Sequence, residues 1–289
     1  MLANKKFVIG LLGKIGLCSE ASAEVLRLAD IWKTNPSVFD FLDGDFPDDG
    51  TFYNCIVEAA EKLGEKKEVV AMCAAFVMSE PLLEKYRKRN IPDEYFYNIA
   101  ADFKIWADNC KQSKGFYGID VIHWITRHLS ENLYRVGRLQ FERINFEFDD
   151  VTCDNGKVIK KGDRLLYIHV PQGEPLDYDE CAASRVAAVE FLKKYYNESF
   201  EGFFCQSWLL HPNLKDILPE NANIVRFQGD FNVFKTDEDA AQAIERVLKC
   251  TFETLGTAVQ ETSLQKNMMR YIKDGGKLGQ GWGVIPIGL

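Results

Sequence analysis

Apolar positions recur every three to four residues through the first 130 residues, and this periodicity predicts helices. From Ser19 to Trp32 the apolar set is Val25, Leu26, Leu28, Ala29 and Trp32, with Ser19 and Ser22 as candidate N-caps. Asn35-Pro36 is expected to stop this helix, and DGDFPDDG at 43–50 reads as a loop. Further helices are expected at 51–63 and 65–78, from Pro81 onward, from Pro92 to about Gln112, and at 119–129. The helix after Pro92 carries the stripe Tyr95, Ile99, Phe103 and Trp106, and Gly115 and Gly118 end it.

The period changes after Asn132. In Arg138–Phe148, apolar Leu139, Phe141, Ile144, Phe146 and Phe148 nearly alternate with polar residues, and the slip at Arg143-Ile144 suggests a bulge. Asp154-Asn155-Gly156 is a hairpin-type turn. Strands are expected at 165–170, 203–208, 224–227, with 231–234 as its continuation, and 282–287. Helices are expected at 178–196, with Cys181, Val186, Val189, Phe191 and Leu192 inward, and at 212–218, 237–254 and 262–273. Thr236-Asp-Glu-Asp reads as the cap of the helix at 237–254. Strands alternating with helices imply a sheet with helices on its faces, and the early hairpin makes that sheet mixed. The fold class is therefore α+β: an all-helical domain over 1–130 and a mixed-sheet α/β domain over 131–289.

A net charge of −8 argues against nucleic acid as a partner, and the densest basic run, Lys85 to Arg89, reads as a solvated helix end. The eight cysteines form no CxxC pair, so neither a zinc site nor a disulfide scaffold is expected, and a reducing cytoplasm is. Lys5-Lys6 followed by Phe7–Cys18 imitates a lipoprotein signal, but Lys14 and Leu17 argue against one. No other apolar run is long enough to span a membrane.

Histidines are scarce. His123 and His128 are five apart and so do not stack on one helix face for a metal. His169, at the C-terminal end of a strand, could act as a general base or simply bond the following loop. His211 is a weaker candidate. Cys205 and Ser207 share one face of their strand, and either could be a nucleophile near His169, although no G-x-S-x-G elbow surrounds Ser207. Arg138, Gln140 and Glu142 also share a face; solvent is the default reading of that row, a polar cleft with Glu142 as a base the sharper one. Tyr167–Pro171 lacks the downstream cysteines of a radical cluster enzyme. The tail GGKLGQGWG reads as a flexible turn, not as a dinucleotide loop.

Three strings, G-R-L-Q-F-E at 137–142, I-H-V-P-Q-G-E-P-L at 168–176 and C-Q-S-W-L-L-H-P at 205–212, resemble a bacterial two-domain family. Its members join a helical N-acyltransferase N-terminal domain to a GNAT-like C-terminal domain. The resemblance implies transfer of an acyl group from acyl-CoA, as co-substrate and without a metal, to an amine acceptor. The strings would contribute Arg138, Gln140, Glu142, His169, Gln172, Gly173, Cys205, Ser207 and Trp208 to the cleft. Where the family often has a histidine between the cysteine and serine, this chain has Gln206. The Gln/Arg-x-x-Gly-x-Gly/Ala phosphate loop of typical GNAT enzymes is not found, and Asp177, Asp179 and Glu180 would repel phosphate at the nearest equivalent. That departure keeps open a non-catalytic module that binds a small metabolite or a partner, and Cys205 and Ser207 keep open a cysteine or serine hydrolase.

Overall fold

The computed structural model of the protein describes residues 4–35, 37–38 and 48–288. The expected stop at Pro36 and most of the 43–50 loop lie outside them. Two compact units emerge, one of residues 1–136 with 171–173, the other of 137–170 with 174–289.

The first unit contains helices α1 (Lys5–Ile15), α2 (Ser19–Thr34), α3 (Asp49–Leu63), α4 (Lys67–Val77), α5 (Ser79–Lys88), α6 (Asp93–Lys114) and α7 (Ile122–Leu129), then strand β1 (Leu133–Val136). The run that imitates a signal is thus α1, capped by Asn4 at one end and by left-handed Gly16 at the other. Neither serine caps α2: Cys18 holds that position without a side-chain bond, and the Ser22 hydroxyl donates to the Leu17 carbonyl. Helix α4 is buried on every side, as an apolar helix must be at the centre of a bundle. On α6 the buried stripe is Phe96, Ile99, Phe103, Ala107 and Cys110, turned slightly from the expected one. Inside this unit His128 is buried, with Nδ1 2.9 Å from the Trp124 carbonyl and Nε2 2.9 Å from Asp102 Oδ2. None of the described helices is long and apolar enough to cross a membrane.

The second unit contributes β2 (Leu139–Asn145), β3 (Val151–Thr152), β4 (Val158–Ile159), β5 (Arg164–His169), α8 (Tyr178–Tyr196), β6 (Gly202–Ser207), α9 (Asn223–Gly229), β7 (Asn232–Thr236), α10 (Ala241–Ala243), α11 (Ser263–Lys273) and β8 (Gly281–Pro286). Within this unit the main sheet has the order β2-β5-β6-β8-β7, and β3-β4 is the separate hairpin that turns at Asn155-Gly156. Within this sheet β2 and β5, β6 and β8, and β7 and β8 are antiparallel, whereas β5 and β6 are parallel.

Register shows which side chains share a face. One face carries Gln140, Glu142 and Ile144 of β2 opposite His169, Tyr167 and Leu165 of β5. It continues through Phe204 and Gln206 to Val284 and Trp282. Phe146, Ile159 and Cys153 cover its lower part. The opposite face carries Leu139, Phe141, Leu166, Ile168, Phe203 and Cys205. Helix α8 adds buried Cys181, Ala188, Phe191 and Leu192 to this unit's core.

Several expectations need correction. The β2–β5 register runs unbroken from Gln140 to Asn145, so the slip at Arg143-Ile144 is no bulge. The apolar residues instead change faces: Phe141 meets Phe203 on one side, and Phe146 meets Phe204 on the other. Residues 224–227 form helix α9, because a short apolar run fits either period and here the Arg226 amide bonds back to the Ala222 carbonyl. The bulge lies in β7 instead, between Val233 and Lys235. The long helix expected at 237–254 is only α10 and a π-type turn, ending at left-handed Lys249. Asp239 still accepts from the Ala241 amide near its start. Val186 on α8 points outward, 62% exposed. The glycine-rich tail is closely packed: a Cβ on Gly281 would sit 2.5 Å from the Leu210 carbonyl oxygen.

Candidate functional site

The parallel β5–β6 ladder is short. Leu165 pairs with Gly202, Leu166 with Phe203 and Tyr167 with Phe204, and there the pairing stops. Beyond it β5 continues to His169, and β6 to Ser207. On their outer sides both strands stay paired, Gln140 with His169 and Gln206 with Trp282. The two strand ends therefore part while each remains anchored.

His169 sits at the mouth of this divergence. Its Nε2 lies 2.9 Å from Glu142 Oε2, with the two side chains 13% and 12% exposed. The contact follows from register. Glu142 is paired with Tyr167, so it sits diagonal to His169 on the same face. The Tyr167 ring lies against the imidazole at 4.1 Å, tilted by 35°, and meets Phe204 edge-on at 4.9 Å. A carboxylate only accepts hydrogen bonds, so Nε2 is the nitrogen of His169 that donates in this pair. Tyr167, which orients the ring, was missed in the sequence; its signal was the i, i+2 spacing from His169 on a strand.

The row Arg138-Gln140-Glu142 does not face solvent. Arg138 and Gln140 are buried. The Arg138 guanidinium donates from Nε to the Pro175 carbonyl (2.8 Å) and from Nη2 to the Glu174 carbonyl (2.6 Å). Its amide donates to Ser184 Oγ of α8 at 2.7 Å, so Arg138 fastens the β5–α8 loop. Gln172 and Gly173 belong to the helical unit. There the Asn109 amide donates to Gln172 Oε1 at 2.7 Å, and Gly173 takes a left-handed φ of 101° near Ile105.

Cys205 and Ser207 lie on the face opposite His169 and Glu142, so no nucleophile–histidine pair forms. Burial pushes the Cys205 thiol up to about 12, and the Ser207 hydroxyl accepts from the Leu209 amide as a cap. Trp208 packs against the cluster of Leu214, Ile244 and Met268. His211 is buried as well, which lowers its pKa, and its carbonyl accepts from Gln228. A consequence is testable: iodoacetamide at pH 8 should leave Cys205 unmodified in the folded protein and label it after unfolding, as read by peptide mass spectrometry. Labelling of the native thiol would contradict the burial.

The first turn of α8 is poor ground for a phosphate. Asp177 caps it by accepting from the Glu180 amide at 2.9 Å, and Asp179 and Glu180 add negative charge. Among the described residues no three His, Cys, Asp or Glu side chains gather as a metal site.

A mixed sheet whose only parallel pair in residues 139–286 parts beside a crossover helix defines the GNAT-like class of fold. Residues 133–285 match the GNAT-like C-terminal domain, and residues 6–130 match the N-acyltransferase N-terminal domain. The chain belongs to the family that joins these two domains. No curated protein matches it. Among solved structures, an acyltransferase in complex with CoA and 10C-teicoplanin is similar, with a TM-score of 0.78 and 19% identity over 100% of this chain and 90% of that one. An acyltransferase in complex with decanoyl-CoA and teicoplanin gives 0.77 and 19% over 97% and 88%.

Proposed function

We propose that the protein is an N-acyltransferase that moves an acyl group from acyl-CoA to an amine. The observation that carries this reading is the His169–Glu142 pair, seated where β5 and β6 part. His169 Nδ1 takes the proton that the acceptor nitrogen loses as it attacks the thioester carbon. Glu142 holds the ring in that tautomer and stabilises the imidazolium. As the C–N bond forms and the C–S bond breaks, the imidazolium returns a proton to the departing sulfur. Backbone amides at the end of β6, beyond the parallel ladder, are suited to polarise the thioester oxygen.

The family and the CoA-bound similar structures support the acyl donor. The pantetheine arm suits the gap between the strand ends. The acidic start of α8 does not suit the pyrophosphate, and this one feature favours a second reading, a module that binds a metabolite without turnover. Calorimetric titration of the whole chain with acetyl-, octanoyl- and decanoyl-CoA is the test. Binding to at least one, followed by release of free thiol on addition of an amine, is expected. No binding to any overturns the proposal, and binding without thiol release favours the second reading.

A further inference from the structure

A groove of about 720 Å³ opens in the second unit between residues 148–154 and β7. It is distinct from the divergence of β5 and β6. Its aromatic wall is Phe148 and Phe234, edge-on at 5.3 Å. The bulge between Val233 and Lys235 gives Phe234 this place. Along its rim stand Asp149, Asp150 and Asp154 against a single lysine, Lys235. Asp150 is engaged, accepting from the Lys161 amide, while Asp149 and Asp154 point to solvent.

Lys235 indicates what the wall accepts. Its ammonium lies 4.5 Å from the Trp282 ring centre and 5.9 Å from that of Phe148. Of these two rings Phe148 lines the groove, so its wall already faces one ammonium, whereas Trp282 is buried in the core beside it. The groove also runs beside the outer strand of the sheet, since β7 ends the strand order. An extended chain lying there would have main-chain partners as well as ring faces and carboxylates.

Register relates this groove to the reacting pair. Lys235 pairs with Trp282 and Trp282 with Gln206, on the face that carries His169. From β7 to β5 is three strand spacings, at least about 14 Å, or roughly four residues of extended chain. A small amine cannot occupy both places.

We propose that this groove docks the acceptor, and that the acceptor is an extended, lysine-bearing peptide. The proposal rests on the acyltransferase reading for the fate of the amine, while the docking itself is measured without acyl-CoA. The probe is a fluorescein-labelled ten-residue peptide of alternating lysine and glycine, followed by fluorescence polarisation with the full chain. Asp149→Asn/Asp154→Asn should weaken binding at least tenfold. Glu190→Gln/Glu220→Gln, which changes net charge equally on exposed residues elsewhere, should leave it within twofold. Free lysine should not compete at concentrations where unlabelled peptide does. Absence of peptide binding, equal weakening in both variants, or equal competition by free lysine each overturns the proposal. Both variants should keep wild-type acyl-CoA affinity. A chain that binds peptide but no acyl-CoA removes the acyltransferase reading and keeps the groove; the reverse removes only the groove.

Discussion

Replacing His169 with alanine is expected to lower turnover by about 10²- to 10⁴-fold while leaving acyl-CoA affinity unchanged. The separation follows from the geometry. The imidazole touches Glu142 and Tyr167, and its work in the proposed reaction is to move a proton, a step absent from binding. Added imidazole should restore part of the rate, because it supplies the missing base without repairing any packing. Glu142→Gln should also slow turnover, since an amide can donate to the ring as well as accept from it and no longer fixes the tautomer. The two changes together should cost little more than His169→Ala alone, as expected of groups that act as a unit. A His169→Ala protein with activity within threefold of wild type would remove His169 from the reaction.

The largest stability effect is expected from a single methyl group at Gly279. A Cβ built there lies 1.9 Å from the Asp237 carbonyl oxygen and 2.9 Å from the Glu238 Cα. Both are backbone atoms, held where β7 ends and β8 begins, with the Asp237 amide donating to the Gln280 carbonyl at 3.1 Å. Neither can swing aside as a side chain would. Gly279→Ala should therefore cost about 3 kcal/mol or more. In a unit of this size that is a fall in melting temperature of roughly 6–12 °C. Gly13→Ala is the control. It lies within α1 with nothing within 4 Å of its would-be Cβ, so alanine should stabilise that helix by about 0.5–1 kcal/mol. Circular-dichroism melts of the two variants decide the matter, and equal melting temperatures would contradict the packing argument.

Helix α8 was legible in the sequence to the residue, because its ends carry their own chemistry. Asp177 accepts from Glu180 at one end, and Asn197 takes a left-handed φ of 54° at the other. Ile224–Phe227 lacks such punctuation, and four apolar-rich residues fit a strand as well as the helix they form. Parity along one strand was readable too, which is why Cys205 and Ser207 share a face and Gln140 and Glu142 share another. Whether those faces coincide depends on register between strands far apart in sequence. Register comes from packing that no local pattern encodes. Hence His169 could be chosen from its position at a strand end, whereas its partner could be named only as one of several candidates. Arg138 illustrates the same limit. Its row on the strand was visible, but its bonds to the carbonyls of Glu174 and Pro175 depend on a loop 36 residues away.

The sheet is assembled out of chain order at its far edge. Residues 281–286 are made after β6 and β7, yet they lie between them and pair with both. During synthesis, β6 and β7 therefore have no common neighbour until this last segment has left the ribosome. Until then β7 presents two bare edges, and chaperones or self-association compete for them. Closing the sheet is consequently a late, all-at-once event, and a chain truncated before Gly281 is a far greater aggregation hazard than one that includes Pro286.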